Sequence, residues 1–330
     1  MDTGSTVFIT GSTGFIGGAL ISRLLADGRE VRALVRTAAA AERARSRGID
    51  TVIGDLANLD VLSIGVEGVD TVFHVAGVNE MCATNPDAMT SANVTGTLAV
   101  FEAAAAAGVS CMVYTSSAVT IGHRADGSPA DERDEHDRQF VSHYERTKYE
   151  AEVALFAAAS QSSVRVVAVN PVSVQGPGRT GGSAKLLLQI LKSRRSVLPA
   201  TTISLVDVAD CVEGHVRAES RGLHLERYLL SGAVIDTREI ATLLASVVGE
   251  KRRAIVVPTP LVKVAAMPLA WLVHRLGSTS FCPEMVRTLL KGHAYDGAKA
   301  TRELGLEYRA IRDTMTETVA WYRSEGLLKR

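Results

Sequence analysis

The sequence predicts a doubly wound α/β fold: a parallel sheet covered by helices on both faces, followed by a smaller mixed C-terminal lobe. Three observations predict it. Short apolar runs alternate with helical stretches through the first half of the chain. Most of those runs are apolar nearly throughout rather than at every second residue, the pattern of strands buried on both faces. The first run also ends in a glycine-spaced turn that opens directly into an amphipathic helix.

The elements follow in order. Thr6 to Thr10 (TVFIT) is the first strand, bounded by Gly11. A helix over 14–27 places Phe15, Ile16, Leu20, Leu24 and Leu25 on one face. Further strands are expected at 30–36, 50–55, 70–77, 110–117 and 164–171, with helices between them, notably over 87–107 and 142–159. After Pro171 the rhythm loosens. GPGRTGG at 176–182 is a loop, 183–191 a helix, 226–232 a strand, and 237–249 a helix stopped by Gly249. A last helix runs over about 311–326. The chain thus divides into a core over 1–170 and a lobe over 171–330, with some lobe segments returning to the core. The most apolar stretch, 254–273, is interrupted by Lys263 and Pro268. It reads as a strand and a helix resting on an apolar pocket or core, not a membrane span. Contact with a membrane surface is the minority alternative.

Composition narrows the function classes. Of 330 residues, 46% are hydrophobic and 22% charged, which excludes intrinsic disorder. The 36 basic residues balance the 36 acidic ones, so no global field exists to gather nucleic acid. Cys82, Cys111, Cys211 and Cys282 are far apart, with no C-x-x-C among them. They read as reduced thiols of a cytoplasmic protein, mostly buried, with Cys82 singled out because it follows a strand end. The opening residues lack the basic and apolar regions of a secretory signal.

The turn after the first strand is Thr10-Gly11-Ser12-Thr13-Gly14-Phe15-Ile16-Gly17. A helix N-terminus presents unpaired N–H groups and partial positive charge, a natural phosphate site. Gly11 allows the tight turn, Gly14 lets a pyrophosphate approach, and Gly17 lets the helix pack close to the sheet. The second strand ends Leu34-Val35-Arg36 with no acidic residue. An arginine there suits a ribose 2′-phosphate, so NADP(H) is favoured and NAD(H) remains possible; the other reading of Arg36 is a solvated charge. Asp55, in Gly54-Asp55-Leu56, either accepts from an adenine amino group or caps the helix beginning near Leu59. His74-Val75-Ala76-Gly77 closes the fourth strand with small residues against which a cofactor can lie, and His74 reads as a packed histidine.

Tyr144 and Lys148 form Y-x-x-x-K, four residues apart on one helical face. A phenol ordinarily titrates near 10, and a neighbouring ammonium lowers that value. The fifth strand ends Thr115-Ser116-Ser117-Ala118, where a hydroxyl would face the ligand crevice.

Taken in order, TGSTGFIG, NVTGT at 93–97, YTSSAVTIG, YERTK, NPVSVQGPG at 170–178 and VDVADCVEGH at 206–215 resemble motifs of the extended short-chain dehydrogenase/reductase family, in its epimerase/dehydratase-like branch. The resemblance covers nearly the whole chain. It implies a Rossmann core and a substrate-binding lobe. It implies that Tyr144 is the general acid/base, that Lys148 tunes it and binds ribose, and that Ser117, with Ser116 as fallback, holds the substrate. Asn93 matches a family asparagine. The implied cofactor contacts are Gly11, Thr13, Gly14, Phe15, Ile16, Gly17, Arg36, Asp55, Leu56, Val75, Ala76, Gly77, Thr115, Tyr144, Lys148, Pro171, Val172 and Ser173.

VRALVR looks like the dihydroflavonol-reductase-like members, which reduce ketones or aldehydes. ISLVDV at 203–208 lacks the arginine and histidine common in sugar-nucleotide enzymes. The reading is therefore an NADP(H)-dependent oxidoreductase of a hydrophobic small-molecule carbonyl. The alternatives are a sugar-nucleotide epimerase/dehydratase-type enzyme with tightly bound NAD and a non-catalytic NADP-binding regulator. The family also implies a homodimer through helices at 95–107 and 144–159, whose apolar faces could equally be buried within one chain.

Overall fold

The computed structural model describes residues 5–250, 252–277 and 281–328. The first four residues, on which the expectation of no signal sequence partly rests, lie outside the described residues. The N-terminal core is an alternation of β1 (Thr6–Thr10), α1 (Phe15–Ala26), β2 (Glu30–Val35), α2 (Ala38–Arg45), β3 (Asp50–Ile53), α3 (Leu59–Val66) and β4 (Thr71–His74). It continues through α4 (Pro86–Thr90), a π-helical turn (Ser91–Thr95), α5 (Gly96–Ala106), β5 (Cys111–Thr115), α6 (His143–Ala159) and β6 (Arg165–Pro171). The lobe segments are β7 (Ser173–Gln175), α7 (Ala184–Lys192), β8 (Arg195–Pro199), β9 (Thr202–Asp207), α8 (Val208–Arg221), β10 (Arg227–Leu230), β11 (Ala233–Asp236), α9 (Thr237–Val248), β12 (Arg253–Val257), α10 (Thr259–Arg275), α11 (Pro283–Lys291) and α12 (Ile311–Ser324).

Seven strands form one parallel sheet in the order β10-β6-β5-β4-β1-β2-β3. The order reverses between β1 and β4, and the crevice beyond the carboxyl ends of those strands is where such sheets take ligands. The strands are buried on both faces. Val7, Ile9 and Phe73 point into a cluster with α1 and α8. Phe8, Val72, Met112 and Tyr114 point into a second with α3, α5 and α6. This double burial explains why the strand segments are almost wholly apolar.

The lobe has its own core, where Leu187, Ile190 and Leu191 of α7 meet Ile240 and Leu244 of α9 and Met315 and Tyr322 of α12. β10 and α8 return to the large sheet. Two expectations need correction. The 254–273 segment does form a strand and a helix, but α10 is not sunk into a core: Ala270 is its one buried residue. The cysteines are not all thiols. Cys82 and Cys282 form a disulfide, while Cys111 and Cys211 are free and buried. The pairing joins residues 200 positions apart, because α11 brings Cys282 against the segment that follows β4. No linear spacing announces such a contact. The apolar faces of α5 and α6 considered for a dimer pack largely within the chain, through Val100, Ala104, Ala151 and Leu155.

Candidate active site

The glycine turn has the shape its spacing requires. Gly11 sits at φ +75°, and a Cβ on it would lie 2.6 Å from the Ala76 amide nitrogen, so the turn presses on the end of β4. A Cβ on Gly17 would lie 2.2 Å from the Gly11 carbonyl oxygen. α1 therefore starts in direct contact with the turn. Gly14 is its N-cap, with no side-chain cap and no acidic residue in the first turn. Thr13 and Gly14 are exposed, and Phe15 and Ile16 half-buried. The Gly14 amide is taken by the Gly11 carbonyl (2.9 Å), and the amides that follow it open a positively polarised helix end, in a cradle that side chains would fill. The residues present fit the pyrophosphate of a dinucleotide.

β1 and β4 are locked together beneath this turn by a buried relay. Thr10 Oγ1 accepts from the Ala76 amide (3.2 Å) and donates to His74 Nδ1 (2.7 Å). His74 Nε2 donates to Thr97 Oγ1 (2.9 Å), which donates to the Asn93 carbonyl (2.7 Å). Each group is satisfied only if His74 is the neutral Nε2–H tautomer. Burial, reinforced by the charge of Lys148, pushes its pKa down to about 3, which agrees. His74 is thus a structural histidine that positions Val75, Ala76 and Gly77.

Asn93 lies in the π-helical turn, and its side chain accepts from the Val78 amide (2.7 Å) and donates to the Val78 carbonyl and to Thr147 Oγ1 (both 2.9 Å). A π-turn at a functional position is a common device, and periodicity alone gave no sign of this one. Leu56 packs on Gly96, where a Cβ would come within 2.9 Å. Asp55 is exposed and accepts from the Ala57 amide. It is not the cap of α3, because Asn58 holds that place. Of the two arginines of the second strand segment, Arg32 is engaged by Asp50 and the carbonyls of Gly65 and Glu67. Arg36 is exposed at the strand end.

Helix α6 begins at the N-cap Ser142, whose hydroxyl accepts from the Glu145 amide, and carries Tyr144, Lys148 and Glu152 on successive turns. The Tyr144 phenol lies near the Ser117 hydroxyl. Burial raises its pKa, while Ser117 and the charge of Arg179 work the other way. Ser116 lies instead beside the buried Tyr114 hydroxyl. Lys148 Nζ donates to the Thr115 carbonyl (2.7 Å), lies 4.4 Å from the centre of the Tyr114 ring, and approaches Gly77. Burial pulls its pKa down to about 7, with Glu152 opposing. The structure thus brings Ser117, Tyr144 and Lys148 to one edge of the sheet, but the cation whose charge acts on the phenol is Arg179. This residue comes from the 176–182 loop, and its guanidinium lies 5.2 Å from the centre of the Phe15 ring. Thr115 Oγ1 pairs with His215 Nε2 (2.8 Å). Pro171 is buried, Val172 half-buried, and Ser173 Oγ donates to Ser183 Oγ (2.7 Å), so this segment is tied to the lobe.

Sequence reasoning missed the attachment of α11. Glu284 accepts from the amides of His143 and Cys82, at the N-terminus of α6, where a carboxylate is favourable. Lys291 Nζ donates to Glu145 Oε1 (2.7 Å), and His136 Nε2 donates to the same carboxylate (2.9 Å). Burial pushes the Glu145 carboxyl up, but His136 and Lys291 outweigh it and hold its pKa at about 2. With the disulfide, these bonds strap a lobe helix beside Tyr144. Their partners lie far apart in the chain, and nothing local marks them.

Residues 7–230 match the model of the NAD dependent epimerase/dehydratase family. The chain belongs to that family. It is an extended short-chain dehydrogenase/reductase, and this membership agrees with the order of motifs and the sheet. A protein of Synechocystis sp. provisionally named dihydroflavonol 4-reductase is 31% identical, over 98% of this chain and 96% of its own. A 4-hydroxy-2-methyl-3-oxo-4-farnesyl-3,4-dihydroquinoline-1-oxide ketoreductase of Stigmatella aurantiaca is 32% identical over 90% of each chain. The crystal structure of gox2253 superposes with a TM-score of 0.87 at 29% identity, covering 98% of this chain and all of that one.

Proposed function

We propose that this family member is an NADP(H)-dependent oxidoreductase interconverting a carbonyl and an alcohol on a hydrophobic small molecule. The observation that carries the chemistry is the convergence of Tyr144 and Lys148, one turn apart on α6, with Ser117 at the end of β5, where Lys148 Nζ holds the Thr115 carbonyl. Ser117 holds the substrate oxygen, and Tyr144 gives or takes its proton. Arg179 and the Ser117 hydroxyl both favour the phenolate and oppose part of the cost of its burial, which remains the larger effect. Lys148, held by the Thr115 carbonyl next to Gly77, is placed to bond a ribose hydroxyl. Asn93 keeps α6 and the segment after β4 in register. When bound, the nicotinamide supplies or accepts the hydride.

The preference for NADP(H) is supported by Arg36, which stands exposed at the end of β2 with no acidic neighbour in Leu34-Val35-Arg36-Thr37. The hydrophobic substrate is supported by the similarity to relatives named for a farnesyl-substituted quinoline oxide and for a 3-beta-hydroxysteroid dehydrogenase. A homodimer through the outward strip of α6, where Val153 is half exposed, belongs to the same proposal. The test is oxidation of NADPH with a panel of steroid, polyketide and aromatic ketones. Arg36→Asp should lower the NADPH-to-NADH preference by about tenfold or more. Absence of turnover on every carbonyl despite tight NADPH binding would leave only a binding protein.

A further inference from the structure

A helix on the surface of a folded chain ordinarily shows a polar face to water. α10 does the reverse. Its residues turned inward are Ala270, buried, with Val262, Ala266 and Val273 half-buried. Its outward face carries Leu261, Val264, Leu272 and Leu276, which are 62, 76, 52 and 78% exposed. Trp271, 54% exposed, flanks that face, and the Arg275 guanidinium lies 4.4 Å from the centre of its ring. The strand leading into α10 continues the pattern. β12 pairs with β8 so that Val197 faces Ile255 and Arg195 faces Arg253, all four on the exposed side of this small sheet.

The segments that form this surface carry charge of one sign. No acidic residue occurs from 251 to 283, nor from 153 to 206, in a chain whose net charge is zero. Those stretches contribute Lys192, Arg194, Arg195, Arg253, Lys263 and Arg275, none of which enters an ion pair among the described residues. An exposed apolar patch rimmed by cations marks a binding surface. A second copy of the chain is a poor occupant, since a two-fold contact would set the same cations against each other. No described helix is long and apolar enough to cross a membrane.

We propose that α10, with the adjoining face of β8 and β12, is a docking surface for an anionic lipid bilayer. The helix lies in the plane of the interface, its apolar face in the acyl boundary and its cations on the headgroups. Trp271 and Arg275 form the interfacial anchor. The proposal does not rest on the substrate reading; it concerns a surface outside the catalytic edge.

The test is co-sedimentation of the full chain with phosphatidylcholine vesicles, with and without phosphatidylglycerol. Binding should appear on the anionic vesicles, weaken as salt rises, and be several-fold lower on phosphatidylcholine alone. Leu261→Ser or Leu272→Ser should each lower the partition coefficient by roughly tenfold, with the melting temperature unchanged. Lys263→Glu with Arg275→Glu should lower it while leaving every apolar residue in place. In a Trp321→Phe background, the emission of Trp271 should move to the blue on anionic vesicles. The proposal is overturned if neither vesicle is bound, if binding is indifferent to all of these substitutions, or if light scattering shows a wild-type oligomer that the α10 substitutions dissociate.

Discussion

Helices α6 and α10 have the same length, 17 residues, and opposite fates. α6 reads HYERTKYEAEVALFAAA, with five charged residues in its first ten positions, and seven of its residues are buried. α10 reads TPLVKVAAMPLAWLVHR, mostly apolar, and has a single buried residue. Composition would have placed them the other way round. The buried polar groups of α6 have partners: Glu145 takes His136 and Lys291, Lys148 takes the Thr115 carbonyl, and Glu152 takes Asn170 and Thr120. The cost of burying them is met locally, so that Tyr144 can be held beside Ser117. The apolar groups on the outer face of α10 have no such cover among the described residues. Departures of this kind from the ordinary pattern are where functional roles are sought, and each helix carries one of the proposals above.

The sharpest break of this comparison is Tyr144→Phe. It should lower turnover about 100-fold or more while leaving cofactor affinity nearly intact, as measured by steady-state rates and a binding titration. Unchanged turnover would remove the phenol from the chemistry. Next in size is Leu155→Ala on the inner face of α6, expected to destabilise by about 2–5 kcal/mol in urea unfolding. Leu155 is fully buried among the residues of α5 and the sheet.

Acid should act through the buried histidines. Burial is the largest cause that lowers His74 to about 3 and His215 to about 4. An imidazole of the unfolded chain titrates near its ordinary 6.5, so that chain binds more protons than the folded one between pH 6.5 and about 4. The stability held above pH 6.5 should fall steadily across that window. A melting temperature flat from pH 6.5 to 4 would contradict the neutral relay around His74. The smallest expected effect is on α10. Leu272→Ser should change stability by no more than about 0.5 kcal/mol, because the side chain leaves no cavity. A loss as large as that of Leu155→Ala would show that the helix is covered after all.

Much of the site was legible locally. The glycine turn, the strand ends and the spacing of Tyr144 and Lys148 are short-range features, and backbone geometry imposes them wherever the fold occurs. The choice between Ser116 and Ser117 was not legible, since both hydroxyls end one strand and only the packing of Tyr114 and Tyr144 separates them. The sequence left Asp55 open between an adenine contact and the cap of α3, and the structure gives the cap to Asn58, three residues on. Arg179 was visible as a cation in a glycine loop, but its place between Phe15 and Tyr144 depends on how that loop folds back.

By itself, the order of apolar runs and glycine turns determined the parallel sheet and the helix that carries the phenol, because periodicity and chain stereochemistry act over a few residues. Only the tertiary structure decided where the strand order reverses, that Cys82 meets Cys282, that Glu145 and Glu284 fasten α11 to the helix of Tyr144, and that α10 turns its leucines outward. Those outcomes depend on which distant surfaces meet when the lobe closes on the core, and no local pattern encodes such a meeting.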